Sequence, residues 1–253
     1  MSKTVTVHSW RGGTGKSTVV ARLGRLLAAR GLRVGLVDAS LQAPGLHEAL
    51  GIDAAVFRLC LWDYLTGACE IEEANHDLTG SARAGGGRLF LVPARSEVDA
   101  ISLSPASGQY DAGLLYEGFS RLVSVLELDL LLVDTHSGAN HEAMHAIAAS
   151  DIDILVTRAG SSDSRSAALA TRIATQLGCT PSQPLLVVNM APALGDPAVL
   201  RRRAEQAYRM SAAAVLPRVE DAAAGALDDL HTGLDQLADL VLAMADVTAR
   251  RAV

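Results

Sequence analysis

The sequence predicts a doubly wound α/β fold, a mostly parallel sheet with helices on both faces. Three observations predict it. Short runs of Val, Leu and Ile recur along the chain, helical patterns of nine to sixteen residues separate them, and glycine or polar residues punctuate the junctions. Strands that read as continuous apolar runs are buried on both faces, as the strands of a parallel sheet are once crossover helices cover each side. The apolar segments are spread evenly over 253 residues, and no Pro/Ser-rich linker divides them, so residues 1–253 are expected to form a single domain.

The elements follow in order. Val5 to His8 alternates as a first strand, and Ser17 to Ala29 is a helical pattern closed by Gly31. Val34 to Val37 and Leu89 to Val92 read as the next strands; Leu114 to Leu126 is helical and Leu130 to Val133 returns to strand. His141 to Ala149 is a helix, Ile152 to Val156 a strand, and Ser164 to Leu177 a helix. Leu185 to Val188, Ala198 to Tyr208, Ala213 to Leu216 and Gln236 to Arg251 complete the alternation as strand, helix, strand and helix. Gly80 to Gly87 and Ser102 to Gly113 are Gly/Ser-rich and read as loops.

Composition excludes several classes. The net charge of −6 argues against a surface built wholly for nucleic acid, and the three cysteines, Cys60, Cys69 and Cys179, form no C-x-x-C pair. Reduced thiols and a cytoplasmic setting are expected. The chain enters a strand after Met-Ser-Lys, and no run of about eighteen uncharged apolar residues occurs, so neither a signal peptide nor a membrane span is expected.

Chemistry concentrates after the first strand, in Ser9-Trp10-Arg11-Gly12-Gly13-Thr14-Gly15-Lys16-Ser17-Thr18. Strand, glycine-rich loop, Gly-Lys-Ser triplet and helix form the context of a phosphate-binding P-loop. Gly12, Gly13 and Gly15 let backbone N–H groups converge on phosphate oxygens, and the helix starting near Lys16 turns its positive dipole end toward them. Lys16 adds a cation for the β and γ phosphates, and Ser17 stands where a hydroxyl ligates Mg²⁺. Lys3 and Lys16 are the only lysines in an Arg-using chain, which singles out Lys16. Trp10 occupies a position where the general motif has Gly, so the first turn of the loop must avoid positive φ there. A turn that merely caps the helix is the plainer alternative, and the strand in front argues against it.

Two acids end predicted strands. Val37-Asp38 closes the second, and Val133-Asp134 leads into Thr135-His136-Ser137-Gly138. In an open α/β sheet ligands bind outside the carboxyl ends of strands, so Asp38 and Asp134 should converge on the Mg²⁺ and γ-phosphate held by Lys16 and Ser17. The alternative is that each acid caps the segment that follows it.

The R-G-G-T-G-K-S loop, the V-D-x-x-L-Q-A-P-G-L segment and the L-V-D-T-H-S-G segment together resemble the deviant P-loop ATPases of the ParA/MinD group, over nearly the full length. The resemblance implies a P-loop NTPase fold, ATP and Mg²⁺ as cofactors, and a homodimer with ATP sandwiched between subunits. It also implies an activating protein partner and a role in positioning cellular cargo on DNA or membrane. By the same resemblance Asn189 looks like the adenine-recognising residue, and Pro217-Arg218-Val219 looks like the loop on the other side of the base, with Pro217 and Val219 as contacts.

Two departures shape the expectation. The family's signature Lys, which reaches the partner subunit's phosphates, is Arg11 here; Arg stays cationic and can grip phosphate in a fork, with altered geometry. In the family's D-x-D pattern the second acid positions the attacking water, and the matching position is Ser40. Loss of such a group costs about 10² to 10⁴ in rate, so slow hydrolysis with binding retained is expected, and His136 is a candidate to orient water instead. A non-catalytic nucleotide-binding scaffold is the second reading.

Other signals point elsewhere more weakly. Arg201-Arg202-Arg203 could contact DNA non-specifically, although an exposed helix face explains it more simply. His141-Glu142-Ala143-Met144-His145 matches the zinc-protease pattern H-E-x-x-H, yet five residues recur by accident, and a switch helix is favoured. Cys60, Cys69 and Cys179 do not match the interfacial cysteines of iron–sulfur relatives, and Tyr208 is the last tyrosine, which argues against the terminal tyrosine cluster of kinase relatives. Leu237 to Val253 lacks aromatic anchors, so core packing is favoured over membrane contact.

Overall fold

The computed structural model of the chain describes residues 3–80, 86–94, 113–138, 141–160, 184–192, 195–218 and 226–247. Its strands are β1 (Lys3–His8), β2 (Arg33–Ala39), β3 (His76–Asp77), β4 (Arg88–Val92), β5 (Leu130–Thr135), β6 (Ile152–Arg158), β7 (Leu185–Ala191) and β8 (Ala212–Pro217). Its helices are α1 (Lys16–Ala29), α2 (Leu46–Ala49), α3 (Leu61–Leu65), α4 (Gly113–Val125), α5 (His141–Ala148), α6 (Pro197–Tyr208) and α7 (Ala226–Ala245). The strands form one eight-stranded sheet in the order β3-β4-β2-β5-β1-β6-β7-β8, parallel throughout except for the β3–β4 pair. The doubly wound fold read from the sequence is the fold observed.

Alternate residues of each strand enter two different cores. Val5, Val7, Val34, Leu36, Leu130, Leu132 and Ile154 join α1 and α7 on one face. Val37, Phe90, Val92, Leu131 and Val133 join α3, α4 and α5 on the other, and Leu155, Leu186 and Val188 meet Tyr208 of α6. Burying side chains on both faces is why most of these strands read as continuous apolar runs; β1 alternates in type, yet its Thr4 and Thr6 are buried too.

Some boundaries differ from expectation. The last helix starts at Ala226 and ends at Ala245, ten residues before the predicted start and short of Arg251, which lies outside the described residues. Leu230, Leu234, Leu237, Ala238 and Val241 keep a buried stripe at helical spacing from its first turns, and Gly233 lets the helix press against Val215 and Leu216 of β8. The turns α2 and α3 and the two-residue β3 are too short to leave a periodic signal. The predicted helix Ser164 to Leu177 and loop Ser102 to Gly113 lie outside the described residues, apart from the final Gly113 that opens α4.

The turn into β4 depends on close backbone approach. A side chain at Gly87 would place Cβ 2.3 Å from the Ala28 carbonyl oxygen and 2.4 Å from that of Leu32. Neither backbone atom can step aside as a flexible side chain would. Gly87→Ala is expected to cost about 2 kcal/mol, and at roughly 2–4 °C per kcal/mol for a chain of this size a thermal melt should fall by about 5 °C.

Candidate functional site

The loop between β1 and α1 curves because Gly13 and Gly15 take positive φ, 71° and 80°. Trp10 is not among the described residues with positive φ, as its side chain requires. Gly15 is also the cap residue of α1, where no side chain satisfies the first-turn N–H groups, so those of Lys16, Ser17 and Thr18 lack a side-chain cap. An anion there would meet both the donors and the dipole. A Cβ on Gly15 would lie 2.5 Å from Asn189 Nδ2, and that amide donates to the Thr14 carbonyl at 2.8 Å. Asn189, at the end of β7, is therefore locked against the loop.

The two acids stand side by side. Asp38 and Asp134 are register partners on β2 and β5, both fully buried. Asp38 accepts from the backbone N–H of Ser40 (3.0 Å), Gly45 and Leu46 (both 3.1 Å). Burial nevertheless raises its pKa to about 6, those three bonds opposing the shift. Neither carboxylate oxygen of Asp134 makes a hydrogen bond among the described residues; the Ser17 hydroxyl lies near enough to favour its ionised form without reaching bonding geometry. Burial first, and Asp38 second, raise Asp134 to about 7, while Ser17 and Lys16 oppose the shift. Lys16 is pushed down by burial and held up by Asp134 and then Asp38. The cluster thus sets two buried acids against one cation.

This imbalance has a pH signature. Both carboxyls hold a proton in the folded chain at pH values where the unfolded chain has lost it, so protonation favours the folded state. The melting temperature of the ligand-free protein should fall as pH rises from about 4 to about 7 and level off above, and Asp134→Asn should flatten that slope.

Around the acids stand the segments singled out in the sequence. Ser40 Oγ donates to the Ala43 carbonyl (2.9 Å) and lies 3.2 Å from His136 Nδ1. With its one proton spent on Ala43, Ser40 Oγ is placed to accept from a proton on His136 Nδ1. The turn after β5 rests on the glycine loop: Gly138 N–H donates to the Ser9 carbonyl at 2.8 Å, and Ser137 Oγ is 3.6 Å from the Cβ position of Gly12. Arg11 is exposed on the outer rim. Under the loop, buried His8 and Asp153 pair at 2.7 Å, with Trp10 edge-on to His8.

A cleft of about 390 Å³ opens beside the loop, lined by Gly13, Gly15, Thr18, Asn189 and Pro217 among others. The structure thus brings Asn189 and Pro217 together with the loop; Val219 lies outside the described residues. Arg22, Arg158 and Met190 also line the cleft, and no motif marked them. Met190 carries a positive φ of 56°, a strained setting for a side chain that β7 imposes where it turns beside Asn189. Of the remaining sequence signals, the Arg201 guanidinium bonds the Ala212 carbonyl and ties α6 to β8, while Arg202 and Arg203 are exposed. The side chains of His141 and Glu142 lie outside the described residues. Cys60 and Cys69 are free thiols, and Cys179 lies outside. No described helix is long and apolar enough to cross a membrane.

Residues 5–245 match the family described as the CobQ/CobB/MinD/ParA nucleotide binding domain. A putative septum site-determining protein MinD of Guillardia theta is 29% identical over 159 residues, 62% of this chain and 53% of that protein. The antiactivator FleN of Pseudomonas aeruginosa is 31% identical over 153 residues, 60% of this chain and 49% of that protein. The chain spans about half the length of the curated relatives it matches. Among solved structures, the MinD of Pyrococcus horikoshii complexed with Mg-ADP superposes with a TM-score of 0.72 at 21% identity, covering 95% of this chain and 96% of that one. By its family match, its sheet and its glycine loop, the chain belongs to the CobQ/CobB/MinD/ParA nucleotide-binding domain family, among its ParA/MinD-type members.

Proposed function

We propose that the protein is an ATP-binding dimeric switch of the ParA/MinD type, with slow Mg-dependent hydrolysis, that controls the position or activity of a cellular partner. One observation carries the reading: the uncapped start of α1, Lys16, and the paired acids Asp38 and Asp134 meet at the carboxyl ends of adjacent strands. Gly12, Gly13, Thr14 and Gly15 supply backbone donors to the phosphates, Lys16 neutralises their charge, and Ser17 and Thr18 add hydroxyls. Asn189 and Pro217, with Val219, hold the base.

The residues fit a divalent cation, because Asp134 has two buried oxygens without a hydrogen-bond partner beside a second buried acid. Ser17, Asp38 and Asp134 would hold Mg²⁺, which when bound offsets phosphate charge as it builds on the leaving group. Arg11, on the exposed rim, is the group that would reach a second subunit's phosphates. Hydrolysis is slow in this reading because Ser40 spends its proton on Ala43 and carries no carboxylate; His136 beside it orients water in its place. Non-specific DNA remains a partner that Arg202 and Arg203 would meet, whereas Arg201 is held within the fold.

The same Ser40 favours a second reading, a scaffold that binds ATP without turning it over. Light scattering tests the dimer that the first reading requires. The solution mass should double with Mg-ATP and stay monomeric without nucleotide or with ADP. An unchanged mass would reject the switch.

A further inference from the structure

Positive charge in the nucleotide cleft is not confined to its phosphate end. Arg22, Arg158 and Arg218 line the cleft, and no Asp or Glu is among its described lining residues. No hydrogen bond or ion pair holds these three guanidiniums among the described residues. Other arginines are held by acids or carbonyls, Arg30 by Asp235 and Asp239, Arg88 by Asp77, Arg121 by Glu70 and Glu72, Arg25 by the Leu50 carbonyl, while Arg202 and Arg203 stand exposed on α6 outside this cleft. Burial lowers the pKa of Arg22, the direction expected of a half-buried cation with nothing to offset its desolvation.

The placement of the three is specific. Arg22 is one helical turn beyond Thr18, on the same face of α1 and leaning back toward its start. Arg158 ends β6 opposite Asn189, and Arg218 follows Pro217. Arg158 and Arg218 stand beside Asn189 and Pro217, on the side of the sheet away from the acids, and Arg22 joins them in the cleft from one turn beyond Thr18. A nucleoside triphosphate carries its charge at the other end and offers this side only a base and a neutral ribose. Arg22 also borders a separate, mostly apolar hollow of about 400 Å³ between α1 and α7, where Asp235 is the one acid among the described lining residues.

We propose that this end of the cleft binds a second phosphate-bearing group, carried on the 2′ or 3′ oxygen of the nucleotide's ribose. Three planar guanidinium forks with unspent donors suit a phosphate or pyrophosphate better than a base edge or a hydroxyl. The inference rests on the reading of the cleft as a nucleotide site and adds the class of nucleotide it selects.

Calorimetric titration of the full chain in Mg²⁺ tests it with three probes: ADP, ADP bearing a 2′-phosphate, and ADP bearing a 3′-phosphate. One phosphorylated probe should bind about tenfold or more tightly than ADP, the size of a charge-assisted hydrogen bond, and its position identifies the oxygen used. In the triple variant Arg22→Gln, Arg158→Gln, Arg218→Gln the ratio of the two dissociation constants should fall toward one. The exposed Arg158→Gln change alone should reduce it in part if the triple variant fails to fold. Equal affinity for all three probes overturns the inference and leaves the nucleotide site standing. A ratio that survives the substitutions overturns the assignment to these arginines. Failure of every probe to bind overturns both readings.

Discussion

Ser40→Asp is expected to raise ATP turnover by about 10² or more, because it restores a carboxylate that can position the attacking water. The local structure favours this outcome: the new carboxylate would lie within reach of His136 Nδ1, now 3.2 Å from Ser40 Oγ, and would gain a donor in place of the bond to Ala43. The same change adds a third acid to a buried group whose two members already sit at about 6 and about 7. The ligand-free variant should therefore melt at lower temperature than the parent and recover more in Mg-ATP. Phosphate release assays give the first quantity and thermal melts the second. Turnover no faster than that of the parent would favour the non-catalytic scaffold.

Asp134→Asn should move stability and function in opposite directions. The parent sets two buried carboxylates against Lys16, and Ser17 and Lys16 offset the desolvation of Asp134 only in part. The amide leaves one acid against one cation, so the ligand-free variant should melt at higher temperature than the parent at pH 8. Functional sites commonly hold such unfavourable groups, and stabilising replacements there remove activity. Affinity for ATP should lose its dependence on Mg²⁺, and turnover should fall by about 10² or more. A variant destabilised at pH 8 would mean that Asp134 is a structural partner of Lys16 rather than a group kept for a cation.

Much of this site is legible in the sequence because its parts lie next to strand ends. The glycine loop, Lys16 and Ser17 are contiguous, and Asp38 and Asp134 follow two apolar runs that pair in register. A doubly wound topology then brings them together without further information. Arg22 and Arg158 were not legible, since one lies within an amphipathic helix and the other beyond an ordinary strand, and only the folded chain places them in one cleft. The positive φ at Met190 also leaves no mark in the sequence; it falls where the β7–β8 register breaks between Val188 and Ala191. The early start of α7 is not legible because Gly233 interrupts an apolar stripe that the contact with β8 completes.

The strand order carries a consequence for how such a protein diverges. β1 lies near the middle of the sheet, with the acid-bearing β5 and β2 to one side and β6, β7 and β8, which carry Arg158, Asn189 and Pro217, to the other. In the function proposed above, the acids that would serve hydrolysis and most of the residues that would choose the ligand then fall on opposite sides of one strand and one loop. Substitutions can accumulate on the recognition half while the reactive half stays fixed. A lineage built on this plan can acquire new signals without first relearning its chemistry.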